Sequence, residues 1–138
     1  MSAVAIVRAL LAAHAPLTAL VPSARIYAGS VPQEAVLPAV SVTRVYGDEI
    51  STIARRQAGK TMRTRVQVTV LAKDPGGYAA SENILKAAAL GAGVHTGQVL
   101  SYHVKSILPQ GEGPDLPVGD DKIHEKSRDF MVTFSEPN

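Results

Sequence analysis

The stretch Arg63-Thr64-Arg65-Val66-Gln67-Val68-Thr69-Val70-Leu71-Ala72 decides the fold. Val66, Val68 and Val70 alternate with Arg65, Gln67 and Thr69, and a period of two in a run rich in β-branched residues predicts a half-buried strand. Its valine side needs a core, and its polar side is left for water or a partner. The rest of the chain must supply neighbouring strands and a helical cover.

Working outward, Ala39–Tyr46 alternates Val40 and Val42 against Ser41 and Thr43 and predicts a strand before it. Gly47–Thr61, with Asp48, Glu49, Arg55, Arg56 and Lys60, is too long for a tight hairpin turn and is expected to project. After the central strand, Asp74 is suited to an N-cap and Pro75 to the first helical position. The helix it predicts runs to about Leu90, with Tyr78, Ser81, Leu85 and Ala88 in one row and Gly91 and Gly93 as its stop.

Val99–Leu108 alternates Leu100, Tyr102 and Val104 with Ser101, His103 and Lys105 and predicts a third strand. Pro109–Asp121 holds three prolines, three glycines and four acidic residues, which favours a second projecting loop. Lys122–Glu136 predicts the closing strand, with Phe130, Val132 and Phe134 inward. At the other end, Val4, Val7, Leu10, Leu11 and His14 fall at helical spacing ahead of Pro16. Arg8 interrupts the opening apolar run and no basic segment precedes it, so an amphipathic helix is expected there instead of a signal peptide.

The expected fold is α+β: a four-stranded antiparallel sheet with two helices packed on one face, in the order α-β-β-α-β-β, with two long loops. The 138 residues suit a single domain, residues 1–138, able to bury roughly two thirds of its unfolded surface. With no cysteine, disulfides, thiolate zinc sites and thiol nucleophiles are excluded together. No stretch approaches the roughly 18 apolar residues of a membrane span. A net charge of +2 and the absence of Trp argue against nucleic acid as the leading partner, and Arg55, Arg56, Lys60 and Arg63 are expected to bind duplex DNA little near physiological salt.

Catalytic and cofactor signatures are missing. His14, His95, His103 and His124 have no metal-ligand spacing, and no Ser stands in a Gly-x-Ser-x-Gly elbow. Gly91-Ala92-Gly93 and Gly111-Glu112-Gly113 lack the setting of a phosphate loop. No enzyme, cofactor or metal is therefore expected. What stands out is a charge asymmetry. The first loop and the strand after it carry Arg55, Arg56, Lys60, Arg63 and Arg65, and the second loop carries Glu112, Asp115, Asp120 and Asp121. One copy's basic segment would match the next copy's acidic one in a head-to-tail ring; the alternative is two solvated loops. The polar strand faces (Thr43, Arg65, Gln67, Thr69, Ser101, Lys105, Thr133) are likewise a solvent face or a wet interface.

The opening Ser2–Val21, then Arg25-Ile26-Tyr27, Val31-Pro32-Gln33 and Leu37-Pro38, resemble the start of the tail completion proteins of long-tailed phages. Arg65-Val66-Gln67-Val68, the helix after it and the closing Ser127-Arg128-Asp129-Phe130 are similar as well. The resemblance implies a non-enzymatic tail terminator: a ring, expected to be hexameric, on the head-proximal end of the tail tube. Its implied partners are other copies of itself, the major tail-tube protein and a head-completion or connector protein. DNA would be passing cargo and no membrane is involved; the place is the virion tail, reached through the host cytoplasm during assembly. Other neck components, such as a head-closure or minor tail protein, and a small ligand-binding α+β domain are the rival readings.

Overall fold

The structure, a computed structural model, describes residues 2–32, 36–50, 59–73, 76–93, 96–113, 116–118 and 123–137. In chain order it has α1 (Ser2–Ala12), α2 (Ala15–Thr18), a 3-10 turn (Ser23–Arg25), β1 (Ile26–Ala28), β2 (Ala39–Ile50), β3 (Gly59–Lys73), α3 (Gly77–Ala92), β4 (Gly97–Val99), β5 (Tyr102–Glu112), β6 (Leu116–Val118) and β7 (Ile123–Pro137).

All seven strands form one mixed sheet of order β1-β2-β3-β7-β5-β4, with β6 pairing β7 off this path. β1 runs parallel to β2 and every other pairing is antiparallel. The four-stranded antiparallel sheet, the two helices and the order α-β-β-α-β-β are thus corrected to a seven-stranded mixed sheet with three α-helices. The reason is physical. β1, β4 and β6 have three residues each, too few to show a period, and the parallel β1 carries no hairpin signal. Each expected loop is also strand in part: β2 and β3 stay paired out to Ile50 opposite Thr61, and β5 runs through Pro109 to Glu112.

The core row of β3 is Val66, Val68 and Val70, all fully buried, and β7 continues the core with Phe130 opposite Val66, then Val132 and Phe134. Each such valine contributes about 1.5–3 kcal/mol of burial. Helix α1 covers the β1–β2 end with Val4, Ile6, Val7 and Leu11, and the Arg8 Nε donates to the Ile26 carbonyl at 2.9 Å, tying the helix to β1. Helix α3 covers β3 and β7 with Ser81, Ile84, Leu85 and Ala88, and α1 and α3 touch each other. Tyr78, expected in the inward row, is half exposed.

The N-cap of α3 is Gly76, with a φ of +79°, followed by Gly77, where a Cβ would stand 2.9 Å from the Ala72 carbonyl oxygen. The turn from β3 into α3 therefore depends on glycine at both positions; the expected capping residues Asp74 and Pro75 lie outside the described residues. His14 caps α2, and its ring lies so close to α3 that a Cβ at Gly91 would meet it at 2.9 Å. Gly91, read as a stop, is instead a contact point between helices.

Candidate functional site

Neither α1 nor α3 covers the opposite face of the sheet, and the register fixes what stands on it. Odd residues of β3 and β7 point there, joined by β2 residues beyond a bulge between Arg44 and Tyr46. One cross-strand row reads Tyr46, Arg65, Met131, Leu108; the next reads Asp48, Arg63, Thr133, Ser106. Tyr46 and Leu108 are 45% and 48% exposed, large apolar groups flanking an arginine in a polar field. Tyr, Met and Arg are the residues that protein interfaces concentrate at their centres.

Charges on this face are matched within the chain. The Arg65 Nε donates to Asp129 Oδ2 at 2.7 Å, and Arg63 Nη2 meets Asp48 Oδ2 at 3.4 Å. A second bulge, between Val104 and Ser106, lets Lys105 Nζ donate to Thr61 Oγ1 at 3.1 Å across β7. Arg63 and Asp48 are both about half exposed, so their pair is screened and contributes little. Asp129 is 14% exposed and holds Arg65 in place between Tyr46 and Met131. Asp129→Ala is expected to cost about 1.5–3 kcal/mol, the range for a hydrogen bond to a charged group. Asp129→Asn, which keeps an acceptor, should cost less; the urea unfolding midpoints of the two variants test the order.

Near β1 the face is not bare. Ser30 and Val31 fold over it and, with Thr43, Gln67, Thr69 and Leu71, line a groove of ≈ 280 Å³. Ser41 and Thr69 are buried there at 7% exposure, although both point away from the core.

Of the charged residues singled out in the sequence, Arg63 and Arg65 share this face, and Glu112 lies on the helix side of β5, 3.8 Å from Arg128. Only the backbone of Lys60 is described, opposite Glu136; Arg55, Arg56, Asp115, Asp120 and Asp121 lie outside the described residues. The strands flanking the two charged segments leave β7 at opposite ends, Gly59 opposite Pro137 and Leu116 opposite Glu125. At about 3.3 Å per residue, that separation along β7 is roughly 40 Å. Of the polar residues expected on the free face, Thr43, Arg65, Gln67, Thr69, Lys105 and Thr133 are there, and Ser101 sits in the β4–β5 turn. Tyr46 and Leu108 were not legible as members, because bulges shift the parity of both strands.

Among the described residues no group of three or more His, Asp or Glu could hold a metal ion, and no helix is long and apolar enough to cross a membrane. The fold is that of an α+β protein with one sheet face left without helical cover among the described residues. Residues 5–95 match the family described as tail completion protein gp17. The chain belongs to that family, whose members are structural, tail-associated virion proteins. Among solved structures it is similar to a chain of the virion of a native gene transfer agent particle, at 20% identity and a TM-score of 0.69, covering 96% of this chain and 94% of that one. That likeness shows a shared fold. No curated protein matches the chain.

Proposed function

We propose that the protein is the tail terminator: a ring, with six copies as the expected number, that caps the head-proximal end of the tail tube, stops its growth and presents the surface to which the head connector docks. Membership of the tail completion family carries the reading. The placement of charge supports a head-to-tail ring. The basic segment with Arg55, Arg56 and Lys60 and the acidic segment with Asp115, Asp120 and Asp121 are rooted at opposite ends of the longest strand pair, so a neighbouring copy is better placed than the same copy to bring them together. Arg63 and Glu112, each paired internally, would extend those contacts, whereas Arg65, expected there as well, stands between Tyr46 and Met131 on the free face. The Tyr46–Arg65–Met131–Leu108 row is the surface offered to a tube or head partner, and DNA passes through the ring's opening without being read.

Two measurements test this. Native mass measurement of the protein alone and after mixing with tail tubes should show a ring templated on tube ends; capture of the portal-side adaptor in place of the tube protein would reassign the chain to head closure. In the second, Arg55→Glu together with Arg56→Glu is expected to abolish ring formation and give tails of irregular length. Normal tails from that variant would end the charge-pairing account.

A further inference from the structure

Of the four long strands, β2 and β5 lie outermost, and each is covered on its outer side over only part of its length. β1 pairs residues 40–42 of β2, and the Gly29 N–H adds a last bond to the Val42 carbonyl at 2.8 Å. β4 pairs residues 102–104 of β5. Beyond these, residues 43–50 of β2 and 105–112 of β5 have no strand on their outer side among the described residues. An open edge is a row of unpaired N–H and C=O groups that recruits another strand unless something blocks it.

The register carried across β3 and β7 puts the two open stretches at the same height. Thr43 is level with Gly111 through Gln67 and Asp129, Tyr46 with Leu108 through Arg65 and Met131, and Asp48 with Ser106 through Arg63 and Thr133. The short strands sit at opposite corners: β1 is level with residues 126–128 of β7, where β5 ends, and β4 lies at the end where β2 finishes. Three antiparallel pairings separate β2 from β5, so the two strands run in opposite directions. A second copy moved sideways, without a shift along the strands, therefore brings its β2 edge against the first copy's β5 edge as an antiparallel pair, with β1 and β4 bounding the contact.

The side chains at that junction match. Tyr46 and Leu108 end the free-face row on its two edges, 45% and 48% exposed, and side-by-side copies make them a cross-strand pair. Lys105, in the bulge beside Ser106, comes to the next copy's Asp48, whose side chain is 46% exposed. Pro109 has no N–H to give, and sheets keep such residues at edges. It is level with Arg44, beside the bulge in β2, so both edges are irregular at one height and the regular ladder falls at residues 46–48.

We propose that neighbouring copies join by strand addition, the β2 edge of one pairing antiparallel with the β5 edge of the next and Tyr46 facing Leu108. The partner is a second copy of this chain, set head to tail because two different edges meet. This deepens the ring reading above and rests on its head-to-tail association. Arg65 and Met131, in the middle of the row, remain free for a tube or head partner.

The chain has no cysteine, so single substitutions report the junction directly. Full-length Tyr46→Cys and Leu108→Cys, both changed at half-exposed side chains, are mixed in equal amounts with tail tubes and oxidised. Facing residues have Cβ atoms about 4.5–5.5 Å apart, close enough for a disulfide after small adjustment. A linked dimer is expected from the mixture, none from either variant alone, and a series of linked oligomers from the chain carrying both substitutions. Lys105→Glu added to that chain should lower the linked fraction about twofold to fivefold, the effect of one exposed ion pair. Leu20→Cys, at an equally exposed position on the helix side, should give no link when it replaces Tyr46→Cys in the mixture. Rings detected by native mass measurement without a link between positions 46 and 108 would overturn strand addition and leave the terminator reading standing. Links within Tyr46→Cys alone would overturn it in favour of a two-fold pairing of β2 edges. Links in the mixture without rings on tube ends would uphold the junction and count against the terminator reading, and neither links nor rings would overturn both.

Discussion

Phe130→Ala is expected to remove a large share of the protein's stability. Phe130 is 1% exposed on β7, opposite Val66 of β3 on one side and Pro109 of β5 on the other. Truncating a buried phenylalanine costs about 3–5 kcal/mol through lost transfer energy and the cavity left behind. Native domains of this size are stable by only about 5–15 kcal/mol. In a thermal melt the variant should unfold at least roughly 10 °C below the parent. The contrast with its neighbour makes the experiment decisive. Met131 points to the free face and is partly exposed, so Met131→Ala should stay within about 1 kcal/mol of the parent. Equal losses from the two variants would mean that the free face is as well packed as the core, and the account of a sheet covered on one side would fail.

The same contrast shows what could be read from residue order. Val66, Val68 and Val70, and Phe130, Val132 and Phe134, carry a clean period of two because one side of each strand is core and the other is not. Where both sides of a strand leave the core, the period fades. Gly47 and Asp48 look like loop residues, yet Gly47 stands opposite Thr64 and Asp48 opposite Arg63 in the β2–β3 ladder. Bulges hide strands in another way. Between Val104/Ser106 and Pro109/Gly111, β5 shifts register twice, so Ile107 is buried and Leu108 exposed where strict alternation from Val104 would reverse them. Leu100, read as an inward strand residue, has a φ of +55° in the β4–β5 turn and is 60% exposed.

The charged half of the core-facing β7 row could be read in part from residue order. Alternation from Phe130 back along the strand already sets Arg128 and Lys126 on the core side, and two cations continuing an aromatic row conflict with a purely structural strand. What residue order could not supply is the partner list. Arg128 lacks an acceptor at Nε because Glu112, its cross-strand neighbour, sits too far out, a matter of register and curvature that no spacing encodes.

Arg128→Met should raise stability. Methionine keeps much of the side-chain length, is flexible enough to pack beneath Leu85, and removes a charged donor whose desolvation is not compensated. Replacing a buried ion pair by apolar side chains of similar size is often neutral or stabilising by about 1–4 kcal/mol, and the lower half of that range is expected here because one ion is replaced and Arg128 is 30% exposed. Glu112, left behind, is 67% exposed and remains solvated, so its loss of a partner costs little. The urea midpoint should rise. A guanidinium held in a well-formed buried ion pair would behave oppositely: its removal would cost about 3–5 kcal/mol of stability and lower the midpoint.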